Sequence, residues 1–119
     1  MDCDVAVLGG GPGGYTAAIR AAQLGAKTVC IEKEAELGGT CLRVGCIPTK
    51  AWVQTVFAIK EADETFAKLG VNVGAAELDF AKANEWKDAI VKQLTGGVAG
   101  LFKGNGVEWV KGTGQFKDA

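Results

Sequence analysis

The chain has 119 residues, is 48% hydrophobic and carries a formal net charge of −1, so it is long enough for one small domain with a core and too apolar to be a disordered segment. Its charge balance leaves no basic surplus for a nucleic-acid surface, and no apolar run approaches the roughly 20 residues of a membrane span. The start, Met1-Asp2-Cys3-Asp4, lacks the basic opening of a signal or transit peptide, and four cysteines without such a signal predict a reducing, cytoplasmic setting.

In chain order, Val5-Ala6-Val7-Leu8 is a short apolar run that predicts a buried strand of a parallel sheet. Gly9-Gly10-Gly11-Pro12-Gly13-Gly14 follows and contains G-x-G-x-x-G at Gly9, Gly11 and Gly14. Tyr15 to Leu24 predicts a small-residue helix closed by Gly25. Thr28-Val29-Cys30-Ile31 predicts a second buried strand, with Glu32 at its end. A lone G-x-G-x-x-G is a weak signal, but here a strand precedes it, a helix follows, and an acid ends the next strand. In that setting Gly9 makes a tight turn, Gly11 lets a pyrophosphate approach the backbone, and Gly14 permits close helix–strand packing. The helix N-terminus supplies positive potential, and Glu32 would accept hydrogen bonds from ribose hydroxyls. The dinucleotide could be NAD, NADP or FAD on this motif alone.

Gly38-Gly39-Thr40-Cys41-Leu42-Arg43-Val44-Gly45-Cys46-Ile47-Pro48-Thr49-Lys50 holds two cysteines five positions apart. Residues so spaced on a regular helix lie about 7.5 Å apart along the axis and point to different sides, so an ordinary helix could not bridge them. An irregular turn at Val44-Gly45 could. Half of a metal site and two unrelated buried thiols are the other readings of the pair. Zinc would want a second pair of ligands, and the chain has no histidine, so no metal site is expected. Pro48 is placed to open a helix and Lys50 brings a cation, and both features favour a thiolate. These neighbours favour the redox reading over the other two; in it Cys41 and Cys46 form a reversible disulfide, with Cys3 and Cys30 left as thiols. A disulfide exchanging electrons beside a dinucleotide needs a two-electron carrier next to it, and a flavin fits.

Ala51 to about Leu69 predicts a helix, with Trp52, Val56, Ile59, Ala62 and Phe66 at three- and four-residue steps. Gly70 to Ala76 predicts a loop with a short extended piece at Val71–Val73. Phe80 to Phe102 predicts a second helical region, interrupted at Gly96-Gly97 by a bend or a close helix contact. Trp52 and Trp86 are expected in the core. Val107-Glu108-Trp109-Val110 predicts a third strand, followed by the turn Gly112-Thr113-Gly114.

Gly9–Gly14, Glu32 and Gly38–Lys50 closely resemble the N-terminal segment of the dihydrolipoamide dehydrogenase branch of the pyridine nucleotide–disulfide oxidoreductases. The resemblance runs nearly the whole chain. Glutathione and mercuric reductases share the first half, whereas Leu94-Thr95-Gly96-Gly97-Val98-Ala99-Gly100-Leu101-Phe102 is similar to the lipoamide enzymes in particular. Arg43 and Thr49 depart from the family's commonest asparagine and serine, and neither change is expected to disturb the thiols.

The resemblance implies an α/β fold: a three-layer, Rossmann-like FAD-binding domain with a parallel sheet core, incomplete at its C-terminal end. Residues 1–119 would be the N-terminal part of that domain, with no second domain in the chain. The implied function is oxidation of protein-bound dihydrolipoamide, electrons passing through Cys41 and Cys46 and FAD to NAD. Cys41 would exchange with the substrate dithiol. Cys46 would sit against the flavin as the charge-transfer thiolate, Lys50 near the reactive edge of the isoalloxazine ring, and Gly114 near the adenine. The implied FAD contacts are Gly9, Gly11, Pro12, Gly13, Gly14, Glu32, Lys33, Gly39, Thr40, Cys41, Cys46, Lys50 and Gly114. The implied partners are a lipoyl-bearing protein of a 2-oxoacid dehydrogenase or glycine cleavage complex and, for the full-length enzyme, a second copy as homodimer; no nucleic acid and no membrane is expected. In this family the base that takes the dithiol proton is a histidine of the partner subunit's C-terminal domain, so the 119 residues alone are expected to be inactive. The alternatives are a related mercuric or glutathione reductase-like disulfide reductase and a non-catalytic flavin-binding module.

Overall fold

The computed structural model describes residues 2–118. Strand β1, Val5–Leu8, leads through helix α1, Pro12–Gln23, to strand β2, Thr28–Glu32. Two helices of unequal length follow, α2 at Gly39–Arg43 and α3 at Cys46–Glu64, then a single 3₁₀ turn at Phe66–Leu69. Helix α4, Phe80–Asn105, returns the chain to strand β3, Glu108–Lys111. The sheet order is β1-β2-β3, and both pairings are parallel, with Val7 opposite Cys30 and Cys30 opposite Trp109. Parallel neighbours need crossovers; α1 supplies one, and the long excursion through α2, α3 and α4 supplies the other.

The core lies where α1 and α4 meet each other and the sheet. Ala18 of α1, Cys30 of β2, Leu37, Leu42, Val98 and Phe102 of α4, and Val107 form one buried cluster. Central strand β2 is buried along almost its full length, as its run of Thr-Val-Cys-Ile requires. Strand β1 is not buried on both sides as its apolar run predicted. Val5 and Val7 are half-buried, while Ala6 and Leu8 are exposed, because no helix among the described residues covers that face. This is the incompleteness that the resemblance implied.

Helices α3 and α4 run antiparallel and leave the sheet as an arm. Near the sheet Ile47 shares a cavity with Leu94 and Leu101; further out Trp52 meets Phe80 with ring centroids 6.1 Å apart. The radius of gyration is 20.0 Å and the extents are 64 × 25 × 22 Å, against roughly 13–14 Å for a compact domain of this length. Asp79 opens α4 by accepting the Lys82 amide at 3.1 Å, and Gly106 ends it at φ +71°.

Three expectations change here. Helix α3 begins at Cys46 itself, with Pro48 inside its first turn rather than at its opening. Residues 70–76 lie outside any helix or strand, as expected of a loop. Gly96-Gly97 does not interrupt α4: the helix is continuous, and a Cβ at either glycine would meet nothing within 4 Å. Trp52 and Trp86 are 42% and 46% exposed, because the arm offers each only one neighbouring helix to pack on.

Candidate functional site

The glycine run is folded by demands that its neighbours impose. Gly9 takes φ +97°, which favours glycine, and its amide donates to the Ile31 carbonyl at 2.8 Å, so the turn leaves β1 while still paired to β2. Gly11 caps α1 with no side chain, and Pro12 stands at its first position. A Cβ on Gly14 would collide with the Gly9 carbonyl oxygen, so only glycine lets α1 start this close to the strand. A Cβ on Gly13 would meet nothing within 4 Å. The first-turn amides of α1 have no intrahelical partners, and this open approach to them is the geometry that a pyrophosphate requires.

Glu32 sits 7% exposed beside this turn. Its Oε2 accepts the Gly10 amide at 2.7 Å and its Oε1 accepts the Glu34 amide at 2.9 Å. Burial opposes its charge, but the Glu34, Gly10 and Lys33 amides and the Arg43 cation outweigh burial and hold the carboxyl below the usual carboxylate range. The carboxylate thus anchors the glycine turn, a role that its position at a strand end did not reveal. Each oxygen retains a second lone pair, so acceptance from ribose hydroxyls stays open to it. Glu32 also lines a cavity of about 250 Å³ with Gly9, Ile31, Lys33, Gly112, Thr113 and Gly114. The Gly112 amide donates to the Glu32 carbonyl at 3.0 Å, and a Cβ on Gly114 would come within 2.5 Å of Leu8 Cδ2. Gly9, Glu32, Lys33 and Gly114, far apart in sequence, therefore share one wall.

The cysteine stretch docks directly on the glycine turn. The Gly38 amide donates to the Gly10 carbonyl at 2.8 Å, and a Cβ on Gly39 would stand 2.7 Å from Gly11 Cα and 3.3 Å from Pro12 Cδ. Gly38 and Gly39 have φ of +117° and +62°. Leu37 is 1% exposed and would clash with any side chain at Gly10. Gly10, Leu37 and Gly38 were missed as site residues; Gly10 occupies a variable position of the motif, and only the docking gives it a task. Thr40 and Cys41 follow on α2.

The chain breaks between α2 and α3 at Val44-Gly45, as the cysteine spacing predicted. A Cβ on Gly45 would press on the Thr40 carbonyl oxygen at 3.0 Å, so glycine lets the second helix fold back on the first. Cys46 is the first residue of α3 and is exposed, and Cys41 is half-buried. All four cysteines are free thiols. The Cys41 thiol is pushed up, first by a hydrogen bond with the Cys46 side chain, then by burial and by charge on Cys46. The Cys46 amide and the Lys50 cation pull the other way and are outweighed. Lys50 thus acts in the expected direction without deciding the outcome, because two adjacent thiols resist a second ionisation. Lys50 is exposed one turn beyond Cys46, apart from the Glu32 cavity. Cys30 is fully buried, and burial followed by the nearby Glu32 charge pushes its thiol up to about 11, which suits an inert core residue.

Residues 3–119 match the family model described as pyridine nucleotide-disulphide oxidoreductase. The chain is 56% identical over 115 residues to dihydrolipoyl dehydrogenase 2, mitochondrial, of Arabidopsis thaliana, covering 97% of this chain and 23% of that protein. It is 50% identical over 119 residues to dihydrolipoyl dehydrogenase of Geobacillus stearothermophilus, covering all of this chain and 25% of that one. It is 54% identical over 113 residues to leghemoglobin reductase of Vigna unguiculata, covering 95% of this chain and 22% of that one. The chain spans about a quarter of the length of these relatives, and corresponds to their N-terminal part. The expected cytoplasmic location is corrected by the relatives from Arabidopsis, pea and Caenorhabditis elegans, which are named as mitochondrial. A segment that mitochondrial proteins share at more than half its positions carries no compartment signal, and the acidic residues Asp2 and Asp4 cannot stand in for one.

Proposed function

The chain belongs to the pyridine nucleotide-disulphide oxidoreductase family, and from that premise we propose that it forms the FAD-cradling, disulfide-bearing part of an enzyme that oxidises protein-bound dihydrolipoamide, with NAD as final acceptor. The observation that carries this reading is the docking of Gly38-Gly39 on Gly10-Gly11. It brings the stretch that leads into Cys41 against the glycine turn, which supports a reading in which a dithiol and a dinucleotide exchange electrons. On this reading residues 1–119 make the N-terminal part of one FAD-binding domain.

The cradle fits such a group. The α1 amides beside Gly11, Pro12, Gly13 and Gly14 would face its pyrophosphate, and the wall of Gly9, Glu32, Lys33 and Gly114 would receive its ribose and adenine. Gly39, Thr40, Cys41, Cys46 and Lys50 would lie toward the redox end. When bound, FAD would supply a two-electron acceptor between the dithiol and NAD. The chain's own residues do the rest. The exposed Cys46 and half-buried Cys41 form the exchanging pair, and Cys41 receives the dithiol of a lipoyl group. That group is borne by a protein of a 2-oxoacid dehydrogenase or glycine cleavage complex, and the complete enzyme works as a homodimer. Because the chain has no histidine, no imidazole within it takes the proton of the incoming dithiol, and these residues by themselves give disulfide exchange without turnover.

Separate titrations with FAD and NAD test the assignment, following flavin absorption for the first and tryptophan fluorescence for both. FAD is expected to bind the more tightly. A preference for NAD would overturn the cofactor reading.

A further inference from the structure

The cysteine turn is held at one end by the glycine docking. Its other end is held by packing: Leu42 is buried in the core and Gly45 lies against the Thr40 carbonyl. Helix α2 is five residues long and has no side-chain cap, and Val44 and Gly45 simply turn the chain into α3. One side chain reaches across from this end: Arg43 Nη2 donates to Glu34 Oε2 at 3.1 Å, with the two side chains 24% and 42% exposed. Glu34 is itself fixed, since its amide donates to Glu32 Oε1 while Glu32 Oε2 holds the Gly10 amide. A continuous line of contacts therefore runs from the glycine turn through Glu32 and Glu34 to Arg43, which lies between the two cysteines.

We propose that Arg43 is a positioning residue: its ion pair with Glu34 clamps the far end of the Cys41–Cys46 turn to the loop that carries Glu32, and so holds the two thiols together. The inference rests on the proposed redox role of Cys41 and Cys46 and adds to it a residue that touches neither reactant. Fixing both ends of a short turn raises the effective concentration of one thiol at the other. The clamp therefore favours the disulfide over the dithiol. Because the pair is partly exposed, its effect is modest: about threefold to fivefold in the equilibrium constant, the upper part of what a surface ion pair contributes.

The measurement is the equilibrium of the chain with a glutathione buffer. Oxidised glutathione takes two electrons and two protons from Cys41 and Cys46, giving the Cys41–Cys46 disulfide and two molecules of reduced glutathione. Alkylation followed by peptide mass mapping reads the ratio. R43Q and E34Q are each expected to lower the equilibrium constant by about threefold to fivefold, and the R43Q/E34Q double variant to lower it no further than either single one. R43K, which keeps the charge, is expected to recover most of the loss. In 1 M NaCl, where screening acts within about 3 Å, parent and R43Q are expected to converge. An R43Q constant equal to the parent's, or single effects that add in the double variant, overturns the clamp while the redox reading stands. A parent that forms no Cys41–Cys46 disulfide overturns the redox reading, and the clamp with it.

Discussion

The head of the molecule, built from β1, α1, β2 and the cysteine turn, differs from the α3–α4 arm in what its backbone touches. In the head, several glycines stand where another part of the chain presses on them: Gly14 against Gly9, Gly39 against Gly11, Gly45 against Thr40. In the arm, Gly96, Gly97, Gly100 and Gly104 meet nothing. The polar groups divide likewise. Glu32 is buried with both oxygens engaged, whereas the Lys60–Glu64 pair of α3 lies more than 60% exposed at 3.9 Å. The head is specified by close contact and the arm by helix propensity and one packed face. The same substitution should therefore act oppositely in the two regions.

Gly14→Ala probes the head at its tightest contact. The new Cβ would collide with the Gly9 carbonyl, and neither backbone segment has room to retreat, because Gly9 is held by its hydrogen bond to Ile31. The expected loss is about 3 kcal/mol or more, at the upper end of overpacking effects, read as the shift in urea unfolding midpoint at constant slope. A loss below about 1 kcal/mol would mean that the turn is looser than described.

Glu32→Gln comes next. Glutamine has one acceptor oxygen where Glu32 uses two, so either Gly10 or Glu34 would face an amide NH₂ instead of a carboxylate. The expected loss at pH 7 is about 2 kcal/mol, the scale of a buried donor left unpaired. The pH dependence gives a second reading. The Glu32 carboxyl lies below its ordinary 4.5 when folded, so below that pH the unfolded chain binds a proton before the folded one does. Stability is full above about 4.5 and is lost as pH falls through the folded value. The gap between parent and E32Q should be widest near neutrality and narrow as pH drops below 4.5. A constant gap would show that the charge of Glu32 does not matter to the head.

The head was legible in the sequence where local rules decide. The strand–glycine–helix–strand unit, and the helix break between Cys41 and Cys46, follow from backbone requirements that a short stretch declares by itself. What escaped depends on distant contacts. Gly10 has a task only because Leu37 and Glu32 pack on it, and the Arg43–Glu34 pair joins residues across a turn that no periodicity describes. Trp52 and Trp86 sit at apolar helical positions, but helical spacing tells which residues share a face and not whether anything covers that face. They are exposed because one neighbouring helix cannot cover them.

Gly97→Ala is the smallest and the most discriminating of these tests. A Gly-Gly pair inside a helical pattern reads as a break, because glycine destabilises a helix interior by about 1 kcal/mol relative to alanine. Yet α4 runs unbroken for 26 residues through both glycines. Two weak positions are tolerated when Thr95, Val98 and Phe102 on the same stretch are buried in the core. If Gly97 is merely tolerated, alanine there should stabilise the chain by about 0.5–1 kcal/mol, since the added methyl has free space and the unfolded chain loses freedom. Urea unfolding of G97A beside G14A measures this directly. Destabilisation by G97A would mean that the glycine serves a bend or a contact after all, and the contrast between a head built on contact and an arm built on propensity would fail at its clearest point.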